Sequence, residues 1–238
     1  MQYISFKATT AILALLPIFA GAQAPDTISG AWKAFNRGQT SSPIHLTGSA
    51  RIIAGNKETN VPVTVDASSD GSAQLSFQVE GGASTTSWGS IASGRACSRT
   101  IGDTSVPLSA NECWLAVPWF SPQAVFAGDR DSTIAFTSVT GDGTSLSLAA
   151  SINLVEGKPA ISKKIVAWST VTITMDTSFL PSTMRYKQQT DDGSFRSVDI
   201  LIRYSQYKTV NGITLPYQID RYVNGTLQTT LSFDTPQP

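Results

Sequence analysis

The sequence predicts a mainly β fold of the α+β kind, and three observations lead to it. Apolar side chains recur at every second position, as in Val61, Val63 and Val65 or Leu75, Phe77 and Val79. That period of two belongs to a strand with one buried face. Turn-forming pairs separate such runs at short intervals, among them Gly55-Asn56, Asp70-Gly71, Gly81-Gly82 and Asn224-Gly225. Helical periodicity is confined to brief stretches. Charged residues are only 14% of the chain, so Ser, Thr, Asn and Gln must supply most of the polar surface. Ser and Thr interleaved with Val, Ile and Leu suit a pleated sheet better than a helix.

At the N-terminus, Lys7 gives a positive start and Ala11 to Ala20 an apolar run interrupted by Pro17. Ala20-Gly21-Ala22 then offers the small residues that a signal peptidase reads. The run is too short to cross a ~30 Å hydrocarbon core as a helix, which takes about 20 residues. Residues 1–22 are therefore expected to be a cleaved signal peptide, and 23–238 a single domain in the periplasm or outside the cell. No cysteine follows the apolar run, so no lipid anchor is expected at the new terminus. The chain has 17 basic and 17 acidic residues, and losing Lys7 leaves a formal charge of −1. Such a balance gives no footprint for nucleic acid or an anionic membrane surface.

Taken in order, Ile28 to Arg37 is expected as a short helix capped by Asp26 or Thr27. Leu46 to Ala54 and the alternating runs around Val63 and Phe77 follow as strands. Ser121 to Ala127 is expected as a second helix, with Ser121 as cap and Pro122 at its first position. Ile134 to Val139 and Leu146 to Ile152 flank Gly141-Asp142-Gly143. Trp168 to Met175 is rich in β-branched residues. Met184 to Thr190 and Phe195 to Tyr204 flank Asp191-Asp192-Gly193. The clearest hairpin comes last: Leu215, Tyr217, Ile219, Arg221 and Val223 share a face, Asn224-Gly225 turns, and Leu227, Thr229, Leu231 and Phe233 return. Asn-Gly between alternating runs is a strong hairpin signal because both turn residues accept positive φ.

Catalytic chemistry finds little purchase. His45 is the one histidine, at the start of a strand, and no Ser sits in a Gly-x-Ser-x-Gly elbow. One His and two Cys lack metal-ligand spacing, and Asp129-Arg130-Asp131 and Asp191-Asp192 lack the alternation of a calcium loop. Glycoside hydrolysis would need two carboxylates that meet only in the fold, and the chain has four glutamates, Glu58, Glu80, Glu112 and Glu156. No catalytic residue, metal or cofactor is expected. Cys97 and Cys113 are 16 positions apart. Export makes a disulfide the expected pairing, and closing such a loop contributes roughly 3 kcal/mol in the chain-entropy model. The aromatic cluster Trp114, Trp119 and Phe120 is open to two readings, ordinary core or the wall of a ligand cavity.

The segment Ile173 to Phe233 resembles the lipoprotein-carrier superfamily, the LolA-like fold that also includes mycobacterial lipid-binding lipoproteins. The residues that carry the resemblance are Asp176-Thr177-Ser178-Phe179-Leu180-Pro181, Arg185-Tyr186 and Ile202-Arg203-Tyr204-Ser205-Gln206-Tyr207. Val210-Asn211-Gly212-Ile213-Thr214-Leu215-Pro216 follows, closing on the Asn224-Gly225 turn. The resemblance implies a curved antiparallel sheet, a half-closed β-barrel, with a few short helices covering the concave face. It also implies a non-enzymatic binding or carrier protein for a lipid or other hydrophobic molecule, with an envelope lipoprotein or membrane as a further partner. On that fold Phe77, Val79, Ile200, Ile202, Tyr217 and Ile219 are expected to line the concavity, with Trp119, Phe120 and Phe126 on the covering segment. The alternatives are a structural or interaction domain with a filled core and an envelope polysaccharide hydrolase. An apolar cavity would argue against the first, and the second needs its paired carboxylates.

Overall fold

A computed structural model describes residues 24–37, 43–80, 82–89, 97–108, 110–116, 119–126, 134–141, 145–152, 169–189 and 196–234. The expected signal peptide, Asp129-Arg130-Asp131, Trp168, Glu156 and Asp191-Asp192-Gly193 lie outside these residues.

The described strands form one 13-stranded antiparallel sheet. Six make an N-terminal meander: β1 (Ile44–Ala54), β2 (Lys57–Ala67), β3 (Ala73–Val79), β4 (Gly82–Trp88), β5 (Cys97–Ile101) and β6 (Thr104–Pro107). Seven make a C-terminal one: β7 (Ile134–Gly141), β8 (Ser145–Ile152), β9 (Val171–Asp176), β10 (Pro181–Gln189), β11 (Ser197–Val210), β12 (Ile213–Val223) and β13 (Thr226–Phe233). β1 pairs with β13, so the first and last strands meet in the middle while β6 and β7 form opposite edges.

Consecutive strands at opposite edges require their connection to cross one face of the sheet. That crossing carries α2 (Ala110–Ala116) and α3 (Gln123–Phe126). α2 packs against both β5 and β8, ten positions apart in the strand order. In a flat sheet they would be separated by about 48 Å, whereas seven helical residues span about 10 Å. The sheet must therefore curl around α2. The remaining helix, α1 (Ala24–Phe35), tells the same story by touching α3, β12 and β7. The result is a curved, unclosed sheet with short helices in its concavity.

Several boundaries differ from expectation for identifiable reasons. α1 begins at Ala24, not Ile28, because Pro25 fits the first turn and Asp26 faces the positive helix end. It ends at Phe35, where Asn36 turns both its backbone N–H and its amide Nδ2 onto the Trp32 carbonyl, each at 3.0 Å. Thr27, Ile28, Ala31 and Phe35 form its buried face. The helix expected at Ser121 to Ala127 is a single turn, Gln123–Phe126. The Ser121 hydroxyl makes no cap bond; it is buried without a hydrogen-bond partner among the described residues. β4, β5 and β6 had no apolar alternation to announce them. Hydroxyl pairs tie these strands together instead: Ser76–Thr85 at 2.9 Å, Ser87–Ser98 at 3.0 Å and Thr100–Ser105 at 3.2 Å. β11 continues past Tyr204 to Val210 through Gln206, whose φ is 56°.

The final hairpin forms as its sequence requires, with Asn224 at φ 48° and Gly225 at φ 80°. The Asn224 side chain also accepts a hydrogen bond from the Asp199 backbone N–H at 2.9 Å, pinning the turn to β11. Cys97 opens β5 half-buried, and Cys113 lies in α2 with its side chain outside the described residues. No free cysteine stands among the described residues.

Candidate functional site

The concavity is filled at one end and open at the other. At the filled end Phe35 of α1 stacks on Phe126 of α3 at 5.8 Å and meets Tyr207 edge-on at 6.3 Å. Phe120, Ile200, Ile202 and Ile219 are buried in the same packed core. The motif tyrosines act here as braces. Tyr207 donates its hydroxyl to the Pro181 carbonyl at 2.8 Å, which ties β11 to the Leu180-Pro181 turn. Tyr204 lies against the Met184 sulfur at 3.8 Å. Burial pushes both phenols well above their ordinary pKa, so they stay neutral donors. Within the turn, the Asp176 carboxylate accepts from the Ser178 backbone N–H at 2.8 Å, and Phe179 takes a φ of 62°.

The open end holds a cavity of about 640 Å³ between the N-terminal meander, α2 and strands β10, β12 and β13. That size falls in the ~300–1,000 Å³ range of small-molecule sites. Its apolar wall is Ile52, Leu75, Phe77 and Ile101 from the sheet, with Leu115, Ala116 and Trp119 from the crossing segment. Small polar residues, Ser84, Thr86 and Thr229, leave the space that larger ones would fill. The charged lining consists of Arg99, Glu112 and Arg221.

α2 is held over this cavity by Trp114. The indole is fully buried, donates its N–H to the Ser169 carbonyl at 2.6 Å and packs edge-on against Trp88 at 6.3 Å. Tyr186 adds a second tie by donating to the Leu115 carbonyl at 3.4 Å. Burial pushes the Tyr186 phenol up in pKa, and the Arg221 guanidinium charge draws it partly back.

Of the residues expected to bind ligand, Phe77 and Trp119 come together in the cavity wall. Val79 lies farther along β3 and is exposed at its end. Phe120, Phe126, Ile200, Ile202 and Ile219 lie in the packed region. Tyr217 is buried on β12, with the Lys208 ammonium 4.4 Å from its ring centroid. Arg99, Glu112, Gln188 and Arg221 line the cavity without having been singled out. Arg221 did carry a signal, as the one charged member of the apolar face Leu215, Tyr217, Ile219 and Val223.

His45 Nδ1 lies 2.7 Å from the Asp66 carboxylate across β1 and β2, with the imidazole mostly and the carboxylate partly in solvent. This is an exposed cross-strand pair outside the cavity. Among the described residues no three His, Cys, Asp or Glu side chains converge as a metal site. No described helix is long and apolar enough to cross a membrane.

No family model matches the chain, and no curated protein sequence does. Solved structures do match in shape. A LolA superfamily protein from Nitrosomonas europaea superposes with a TM-score of 0.53 at 10% identity, over 90% of this chain and 94% of its own. A domain described as an outer membrane lipoprotein-sorting protein, from Vibrio parahaemolyticus, gives 0.54 at 9% identity over 87% and 89%. At such identities the likeness speaks to architecture alone, and with the curled sheet and its covering helices it shows that this chain has a LolA-like fold.

Proposed function

We propose that the protein is an exported, non-enzymatic carrier that holds a lipid or other hydrophobic molecule in the cavity beneath α2 and Trp119. The observation that supports this best is the cavity itself, about 640 Å³ with Ile52, Leu75, Phe77, Leu115 and Trp119 on its wall. A filled-core domain has no use for that space. A polysaccharide hydrolase needs paired carboxylates, and the described lining offers Glu112 alone. Phe77 and Trp119 touch the ligand in this proposal, with Val79 at its exit. Phe120, Phe126, Ile200, Ile202, Tyr217 and Ile219 form the packed bed that keeps the concavity from collapsing. Each methylene buried contributes about 0.8 kcal/mol. The lipoprotein-sorting protein among the similar structures makes a periplasmic location and an envelope lipoprotein or membrane partner part of the same proposal.

Native mass spectrometry of protein purified from a lipid-containing host should find bound lipid, and a fluorescent fatty acid should bind. Thr86→Trp places an indole in the cavity and should lower that affinity at least tenfold while the fold persists by circular dichroism. Neither bound lipid nor fatty-acid binding in the wild type would remove the carrier reading.

We further propose the Cys97–Cys113 disulfide. α2 packs against β5, the two elements that carry these residues. Cys113→Ser should then cost about 2–4 kcal/mol in urea unfolding, and non-reducing peptide mapping should recover the linked pair. Two free thiols in that map would refute the bridge.

A further inference from the structure

Arg221 stands out within the cavity. A guanidinium stays charged at any physiological pH, and leaving such a group half-buried without a counter-charge is costly. Its neighbours are neutral. Nη2 donates to the Gln188 amide oxygen at 3.2 Å and Nη1 to that of Gln228 at 3.3 Å, with the Tyr186 phenol also lining the cavity. Among the described residues no carboxylate lies within salt-bridge distance of it. Arg99, on β5 at the exposed end of the cavity, likewise has none among them. Glu112 on α2 is the single acidic member of the described lining, which is therefore net positive.

The scaffold bends to hold this arginine in place. The β12–β13 register shifts between Arg221 and Tyr222: Arg221 pairs with Thr229 but Tyr222 with Leu227. The extra residue is Gln228. A bulge re-aims the side chain it inserts, and bulges collect beside functional sites. Here the re-aimed amide is one of the two that grip the guanidinium. Two amide acceptors occupy part of a five-donor group, so donors remain for an anion inside the cavity.

We propose that Arg221 is the receptor for the anionic head, a carboxylate or phosphate, of an amphiphile whose chain lies along Phe77, Leu75 and Trp119. Arg99 adds positive potential at the entrance. This deepens the carrier reading and rests on it. Charge-assisted hydrogen bonds in a partly desolvated site are the strong ones, and the fork of a guanidinium suits both head groups.

The test uses the full mature chain loaded with the neutral probe N-phenyl-1-naphthylamine, displaced by palmitate, palmitoyl-lysophosphatidate or hexadecanol. The wild type should bind at least one of the two anions about tenfold or more tightly than hexadecanol, and the better anion identifies the head group. Arg221→Gln should erase that preference by weakening the anion far more than hexadecanol, while Arg221→Lys should retain part of it. Equal wild-type affinity for all three, or a preference that survives in Arg221→Gln, overturns the head-group assignment and leaves the carrier standing. If neither the probe nor any of the three lipids binds the wild type, the carrier reading falls and this assignment falls with it. The wild-type comparison of anion with alcohol decides the matter even if Arg221→Gln does not fold.

Discussion

Trp114→Ala is expected to lower the free energy of unfolding by about 3–5 kcal/mol, read from urea melts. The indole is among the largest fully buried side chains, it packs on Trp88, and its N–H satisfies the Ser169 carbonyl. Removing it leaves both a void and a buried acceptor without its donor. Trp114→Phe separates these losses: it retains most of the ring packing and gives up the hydrogen bond, so it should cost about 1–3 kcal/mol. A seven-residue helix has no stability of its own in water, so α2 depends on this anchor. The alanine variant should therefore also lose ligand affinity, because Leu115, Ala116 and Trp119 form the cavity's outer wall. An alanine variant as stable as the wild type would mean that α2 is held by other means.

The sheet was legible wherever one face is apolar. Apolar, alternating or β-branched runs marked β1 to β3 and β7 to β13, and the Asn224-Gly225 turn forms with the positive φ values its residues allow. β4 to β6 were hidden because their burial does not alternate; β6 is exposed at every position, and hydroxyl ladders stand in for apolar pairing. α2 was hidden for another reason: it is too short for periodicity to register, and long-range hydrogen bonds at Trp114 and Leu115 fix it. The cavity was half legible. Phe77 and Trp119, one from an apolar strand face and one from the crossing segment, line it. Phe120 and Phe126 are equally aromatic on the same crossing segment but pack in the core, Phe126 against Phe35. The family resemblance implies that short helices cover the concavity, not how closely they are pressed down. The role of Arg221 needed the bulge at Gln228, a register shift between two strands that neither strand announces alone.

The same dependence on backbone register makes Gly48→Ala the second large effect. Gly48 sits on β1 opposite Phe233 of β13 and Val63 of β2, at the seam where the two meanders join. A methyl group there would stand 2.0 Å from the Ser232 carbonyl oxygen and 2.8 Å from the Phe233 Cα. Both are backbone atoms, so no rotamer change relieves the clash; β13 must move away from β1. That movement threatens the neighbouring bond from the Asp234 N–H to the Thr47 carbonyl, now 2.8 Å. The expected loss is about 3 kcal/mol, the upper end of overpacking costs, because the obstacle cannot repack. Gly55→Ala is the internal control. Gly55 has φ +60° in the β1–β2 turn and open space around it, so alanine there meets only the ~1–2 kcal/mol left-handed penalty. Urea unfolding should rank wild type above Gly55→Ala above Gly48→Ala. The reverse order would show that strain in a turn outweighs contact at the seam, and would undo the argument that β1–β13 pairing holds the two halves of the sheet together.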